Sequence, residues 1–373
     1  MSTSSGTRRT TSFAPTDRDA ERARQLVFAF GWNAMSYQIV NDGICHWFSR
    51  AGDAVVGYAR TRRIYVVVGA PVCAEHRLSA VLEEWEAFAA SLGCRCCYFG
   101  AAGRLFDRLR LRAGYSTALL GAQPVWHPAE WPAVTADNAS LRSQMHRARN
   151  KGVVVTEWTS DRASADPRLH RCLSQWLERR GLPALHFLIE PFTLHDLTGR
   201  RVFVAERGDA VVGFLNASPI PARTGWLVEQ FIRSADAPNG TIEILIDRMM
   251  CAVAADGAQY VTLGLVPLQR VPSDGTVQNP AWLNMFFSLA RMHGNRFYNF
   301  RGLERFKTKL RPHNWEPIYA ISNEPTFSFA TLYAITTAFT VAPPLMTLAH
   351  GIARAVQIEA RRIRNSLRRA IRQ

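Results

Sequence analysis

The four residues Ala237-Pro238-Asn239-Gly240 run directly into a segment of helical periodicity that begins near Thr241. Free backbone N–H groups and the positive end of a helix dipole at such a place can cradle a phosphate or a developing oxyanion. Charged residues crowd this turn. Glu229 and Arg233 precede it, Asp236 lies at its edge and Glu243 follows in the first helical turn. This set holds the parts of a group-transfer site: a cation and amides for negative charge, and a carboxylate, Asp236 or Glu229, that would act as base if burial raised its pKa. A carboxylate beside Arg233 would instead stay ionised and structural, and an ordinary turn capped by Asn239 fits the same residues. His146, His186 and His293 are isolated histidines with no partner pattern around them.

Two short basic segments add a second chemistry. The chain has 45 Lys plus Arg, but its three lysines, Lys151, Lys307 and Lys309, all fall within residues 141–152 (LRSQMHRARNKG) and 301–312 (RGLERFKTKLRP). The first segment presents Arg142, Arg147, Arg149 and Lys151. The second presents Arg301, Arg305, Lys307, Lys309 and Arg311 around Gly302 and Glu304, and is preceded by the aromatic run FYNF. On a helix Arg301, Arg305 and Lys309 share a face. Cations beside stacking surface suit the phosphates and bases of a single-stranded nucleic-acid end, or a lipid phosphate. Two solvated helix faces would read the same way.

The elements that must position these residues follow from periodicity. Residues 17–30 read as a helix, residues 45–49, 54–60 and 64–72 as strands, residues 78–93 as a helix ending in Gly, and residues 94–100 as a strand. A Pro-rich, turn-like stretch at 124–140 separates this half from the next. There, 141–152 begins as a helix, 153–158 is a strand, 167–181 is an amphipathic helix, and 201–220 is a hairpin turning at Gly208-Asp209. Residues 225–233, 241–257 and 260–267 then read as strand, helix and strand. The order resembles that of an N-acetyltransferase-like (GNAT) module, and it occurs twice. The expected fold is therefore α/β, with tandem GNAT-like modules, each a mixed sheet flanked by helices, and a helical C-terminal tail.

The length, 373 residues, accommodates two modules, placed at 17–135 and 136–325, after a disordered segment 1–16 and before a tail 326–373. The first 16 residues are polar and lack the apolar core of a secretory signal, which places the N-terminus in the cytosol. A net charge of +15 calls for a polyanionic partner such as nucleic acid, an anionic membrane surface, or both. Seven cysteines, an odd number, argue against a disulfide framework. The cluster Cys94, Cys96, Cys97 lacks a second ligand pair at zinc-finger spacing and reads as thiols in a strand, so no metal is expected.

The residues FIRSADAPNGTIEILIDRMM (231–250), YVTLGLVPL (260–268) and FYNFRGLERFKTKLRPHNWEPIYAI (297–321) resemble the cytosolic synthase domain of the multiple peptide resistance factors, the phosphatidylglycerol lysyltransferase C-terminal family. Weaker likeness extends through 141–155 and 64–72, so that the resemblance covers roughly residues 25–322. It implies a tandem GNAT fold that moves an aminoacyl group from aminoacyl-tRNA to a lipid hydroxyl, typically that of phosphatidylglycerol, with no cofactor. The acetyl-CoA signature Gln/Arg-x-x-Gly-x-Gly/Ala does not occur at the turn. The multi-helix flippase part of the full-length factors is not seen, which implies a free-standing synthase domain whose acceptor lipid need not be the same.

On this reading Asp236, Asn239, Glu229 and Glu243 are the candidate catalytic residues. Arg233, Gly240, Arg301, Gly302, Arg305, Lys307, Lys309, Arg147 and Lys151 are the candidate substrate contacts. The free α-amino group of the donor is an equally good proton acceptor. The implied partners are aminoacyl-tRNA, an anionic phospholipid membrane and the lipid acceptor, and the implied location is the inner face of the cell membrane. Residues 325–350 carry no Asp, Glu, Lys or Arg, but six Thr and Pro343-Pro344 disfavour a spanning helix. Residues 351–373 carry seven Arg and one Glu, with Ile352, Val356, Ala360, Ile363, Leu367 and Ile371 on one stripe, the pattern of an interfacial anchor. Two other readings remain open: a thioester-dependent N-acyltransferase or Fem-like peptidoglycan aminoacyltransferase on the same fold, and a non-catalytic basic protein that binds membrane or RNA.

Overall fold

Runs of β-branched residues and helical stripes of apolar residues build the same core order in each half: three antiparallel strands, a crossover helix and a further strand. The computed structural model describes residues 17–179, 187, 192–269, 277, 279–293 and 300–339. The first half holds α1 (Asp17–Phe30), β1 (Cys45–Phe48), β2 (Val55–Arg60), β3 (Ile64–Val68), α2 (Leu78–Ser91), β4 (Arg95–Ala101), α3 (Gly103–Leu109) and β5 (Ser116–Trp126). A linking helix, α4 (Trp131–Ala136), leads to α5 (Ala139–Asn150) and β6 (Val153–Trp158). Then come α6 (Ser160–Ala165), α7 (Pro167–Arg179), β7 (Arg201–Arg207), β8 (Ala210–Ile220), β9 (Gly225–Arg233), α8 (Thr241–Ala255), β10 (Tyr260–Thr262) and β11 (Val266–Pro267). The described chain continues with α9 (Ala281–His293), α10 (Phe300–Lys309), β12 (Asn314–Ser322) and α11 (Phe329–Phe339).

Each half contains one parallel pair, made by a helical crossover. β3 pairs with β4 across α2, and β9 pairs with β10 across α8. The other strand pairs are antiparallel, and short hairpin turns join β1 to β2, β2 to β3, β7 to β8 and β8 to β9. β3 reads Ile-Tyr-Val-Val-Val and is buried along its whole length, because α2 covers one face with Leu78, Val81, Leu82, Trp85 and Ala89, while Val27 of α1 and Ala334 and Ile335 of α11 share the core on the other. α8 covers the second half in the same way with Leu245, Met249 and Val253, and α5 packs beside it through Leu141, Met145 and Ala148. A tandem GNAT-like α/β plan is thus realised, mixed sheet flanked by helices.

The two halves share one sheet. Its order is β1, β2, β3, β4, β12, β5, β10, β9, β8, β7, β6, with β11 off the path against β5. After its crossover each half gives its next long strand to the other: β5 lies against β10, and β12 lies against β4. The two donated strands pair with each other from Asn314↔Val125 to Ser322↔Ser116. At this seam Glu316 of β12 binds Arg223 through both oxygens, at 2.6 and 3.0 Å, and accepts from Tyr260 Oη at 2.8 Å and Gln123 Nε2 at 3.0 Å.

Two expectations change. The Pro-rich stretch at 124–140 is not a plain turn: residues 124–126 complete β5, and α4 follows. Trp126 and Trp131 pull it into the core, their indoles donating to Leu310 O and Asp247 Oδ1, both at 3.0 Å. The strand expected over 260–267 is broken between Thr262 and Val266, where Gly264 takes φ +73°. The thiol reading of Cys96 and Cys97 holds, since both are fully buried in β4 and burial pushes their pKa values far up. Among the described residues, no cluster suits a metal ion.

Candidate functional site

Helix α8 begins at the sharp turn singled out from sequence. Gly240 caps it with φ 95°, and Thr241 folds its hydroxyl back onto Pro238 O at 2.7 Å. A Cβ at Gly240 would lie 1.9 Å from the carbonyl oxygen of Gln144, so only glycine lets α5 lie against this turn. α5 is fixed at its own start by Asn138, whose side chain accepts from Leu141 N at 3.1 Å and donates to Lys309 O at 2.7 Å. The turn is thereby held between the two basic segments.

A cavity of about 430 Å³ opens at this junction. Its walls are Gln144 of α5, Phe231 and Arg233 of β9, Asn239 to Glu243 at the start of α8, and Phe306 of α10. Phe231 and Phe306 stand 5.6 Å apart between ring centroids and give the cavity an apolar part of its wall beside the start of α8. Lys309 Nζ reaches Glu243 Oε1 at 3.2 Å and fixes that carboxylate at the wall. Arg233, Arg147, Lys151 and Arg305 are exposed, and among the described residues none of them has a carboxylate partner. Unneutralised cations, a helix N-terminus and two rings together suit a ligand that carries negative charge beside a flat or apolar group.

The candidates from sequence therefore divide. Arg233, Asn239, Gly240 and Glu243 line the cavity, and Lys309 touches it through Glu243. Asp236 lies exposed on the turn and does not line it. Gly302 is half-buried in α10; the side chains of Arg301 and His293, and all of His186, lie outside the described residues. His146 is exposed on α5 and does not line the cavity. The expected anchor over residues 351–373, the uncharged segment from residue 340 and the segment 1–16 also lie outside the described residues.

Two candidates face elsewhere than expected. Lys307 is only 2% exposed, and its ammonium donates to Leu263 O at 2.6 Å, Gly264 O at 2.9 Å and Leu265 O at 3.4 Å. It plugs the break between β10 and β11, satisfying carbonyls that a continuous strand would have paired, and so is not a surface phosphate contact. Burial pushes its pKa down to about 7. Glu229 is the extra residue of a bulge in β9, where Asn216 opposes Gln230 and Ala217 opposes Val228. It therefore does not join Phe231 and Arg233 at the cavity. Arg200 holds it at 3.0 Å, Gln38 Nε2 donates to it at 2.7 Å, and Asn216 Nδ2 donates at 3.3 Å. Arg200 also lies over the Tyr37 ring, 5.0 Å from its centroid. This buried pair ties the second half to Gln38 of the first, a structural role.

The cavity residues that sequence reasoning missed are Gln144, Phe231, Thr241, Ile242 and Phe306. Strand alternation with Arg233 was a usable signal for Phe231. Nothing in the spacing distinguished Gln144 or Phe306.

The sequence profile of the family described as phosphatidylglycerol lysyltransferase, C-terminal, matches residues 24–322. The phosphatidylglycerol lysyltransferase of Bacillus subtilis is 24% identical over 322 residues, covering 85% of this chain and 37% of that protein. The lysylphosphatidylglycerol biosynthesis bifunctional protein LysX of Mycobacterium ulcerans is 24% identical over 294 residues, 73% of this chain and 25% of that protein. The chain thus spans between a quarter and about two fifths of the length of these relatives. Among solved structures, L-PGS from Bacillus licheniformis superposes with a TM-score of 0.70 at 19% identity, covering 85% of this chain and 95% of that one. A C-terminal domain ascribed to a lysylphosphatidylglycerol synthetase of Agrobacterium fabrum gives 0.73 at 22% identity, with 87% and 98% covered. These two share the fold. With its profile matched from residue 24 to residue 322, the chain belongs to the phosphatidylglycerol lysyltransferase C-terminal family.

Proposed function

We propose that the protein is an aminoacyltransferase that moves an aminoacyl group from aminoacyl-tRNA to the hydroxyl of a phosphatidylglycerol-type lipid at the inner face of the cell membrane. The observation that carries this reading is the cavity at the start of α8, which combines amides, Arg233 and two phenyl rings between two cationic helices. In the transfer the acceptor oxygen attacks the ester carbonyl carbon. The tetrahedral intermediate then collapses with loss of the ribose oxygen, which takes up the proton that the acceptor gave. The helix-start amides and Asn239 would hold the oxyanion, and Phe231 and Phe306 the terminal base or the aminoacyl chain. Arg147, Lys151 and Arg305 would meet tRNA phosphates through their charge alone.

Proton transfer favours substrate assistance. Glu229 is locked to Arg200, Asp236 is outside the cavity, and Glu243 is engaged by Lys309. The donor's α-amino group then carries the proton from acceptor to leaving oxygen, with no protein base.

The test is transfer of a radiolabelled amino acid from aminoacyl-tRNA to phosphatidylglycerol vesicles, read in the lipid extract. Label is expected in a new aminolipid, and ribonuclease added beforehand should abolish it. Label transfer that survives ribonuclease, or that an acyl thioester alone supports, would overturn the donor.

A further inference from the structure

Helices α9 and α11 together leave an apolar ridge in solvent. Met285 is 63% exposed, Phe286 44%, Phe329 67% and Tyr333 50%. Trp282 joins the two helices, its ring 4.0 Å from that of Phe329 between centroids. Met285 and Phe286 stand one helical turn beyond Trp282, and Tyr333 one turn beyond Phe329, so the four exposed side chains continue a single strip. The inner faces are sound core: Leu283, Ala334 and Ile335 are buried with the first half of the molecule. The ridge thus stands on packed core.

We infer that the α9–α11 ridge is the surface by which the protein docks on a bilayer containing anionic phospholipid. Scattered exposed apolar residues need no explanation, but four large ones in one strip mark a docking surface. Three features select a bilayer over other partners. Residues 281–288 and all of α11 carry no Asp, Glu, Lys or Arg, so the strip offers nothing to an RNA backbone. The chain leaves α11 through a stretch still free of charge as far as His350, and then reaches seven Arg and one Glu in residues 351–373. An apolar face continued by a cationic segment supplies the two signals that reversible attachment to an anionic bilayer needs, insertion at the acyl boundary and attraction to headgroups. The third is position along the chain: α9 is followed by α10, which carries Phe306 to the cavity wall. The inference deepens the lipid-acceptor reading and rests on it for the purpose of docking. The binding itself can be measured without any turnover.

The experiment compares the full chain with a variant carrying Met285→Ser, Phe286→Ser, Phe329→Ser and Tyr333→Ser, in flotation with vesicles of phosphatidylglycerol and phosphatidylcholine. Thermal denaturation serves as the folding control, and a second variant, Phe329→Ser with Tyr333→Ser, is used if the first does not fold. The ridge variant is expected to bind the mixed vesicles at least ten-fold more weakly, while its aminoacylation of a short-chain, water-soluble phosphatidylglycerol stays within two-fold. Unchanged vesicle binding would overturn the docking surface. So would a dimer of the full chain that the variant loses, because a second copy would then cover the ridge. Absence of transfer to the soluble acceptor by the intact chain would sink the proposed function and leave the flotation result standing.

Discussion

Asn239 and Asp236 are three residues apart in sequence, yet only Asn239 lines the cavity. Asn239→Ala should therefore lower kcat ten-fold or more with little change in melting temperature, whereas Asp236→Ala should leave both near wild type. Steady-state rates on both variants test the pair, and a loss of turnover in Asp236→Ala would move a proton-transfer role back to the turn. Gly240→Ala should behave differently from either. The added Cβ meets backbone, which cannot rotate away, so α5 must shift at a cost of about 1–3 kcal/mol, visible in denaturant unfolding. Lys307 gives a signed pH prediction. Its folded pKa, about 7, lies below the ordinary lysine value, so between these limits the unfolded chain binds the extra proton and stability rises with pH. Relative to Lys307→Met, wild type should gain up to about 1.4 kcal/mol per pH unit from pH 7 towards pH 10. A constant difference between the two across that range would show that the buried amine keeps its proton.

At the scale of elements, the seam between β5 and β12 rests on Glu316. Burial would raise its pKa, but Arg223, Gln123 and Tyr260 together hold it below the ordinary glutamate value. Its contribution is thus present above the unfolded pKa and is lost as pH falls through the folded one. Glu316→Gln should cost about 2 kcal/mol near neutral pH and flatten the acid limb of the stability curve, as urea titrations at several pH values would show. Much at this scale was legible in the sequence. The hairpin at Gly208-Asp209 and the helix start at Thr241 sit where turn chemistry and periodicity put them. The bulge at Glu229 was not legible, because an extra residue in a strand leaves the letters unchanged while it redirects a side chain. Nor was the burial of Lys307. A lysine in a basic run reads as solvent-facing, and the carbonyls that draw it inward come from a strand break 40-odd residues away, between Leu263 and Leu265.

For the whole molecule, the duplicated order was readable and the exchange of strands was not, since β12 has the same pattern whichever sheet it enters. The exchange makes each half incomplete. Residues 17–135 expressed alone would lack the strand that lies between β4 and β5, leaving two unpaired edges beside a buried core. Such a fragment should be insoluble or lack a cooperative unfolding transition, and co-expression with residues 136–373 should restore both; a soluble, cooperatively melting fragment would contradict the shared sheet. The same feature sets a timetable for birth on the ribosome. Cys97 in β4 pairs with Ser322 in β12, and at ~5–20 residues per second that partner is made on the order of tens of seconds later. Throughout that interval the nascent first half presents an open β-edge to its neighbours on the polysome, so in the cell the yield of this protein should depend on chaperones that guard unfinished sheets more than on the stability of the finished one.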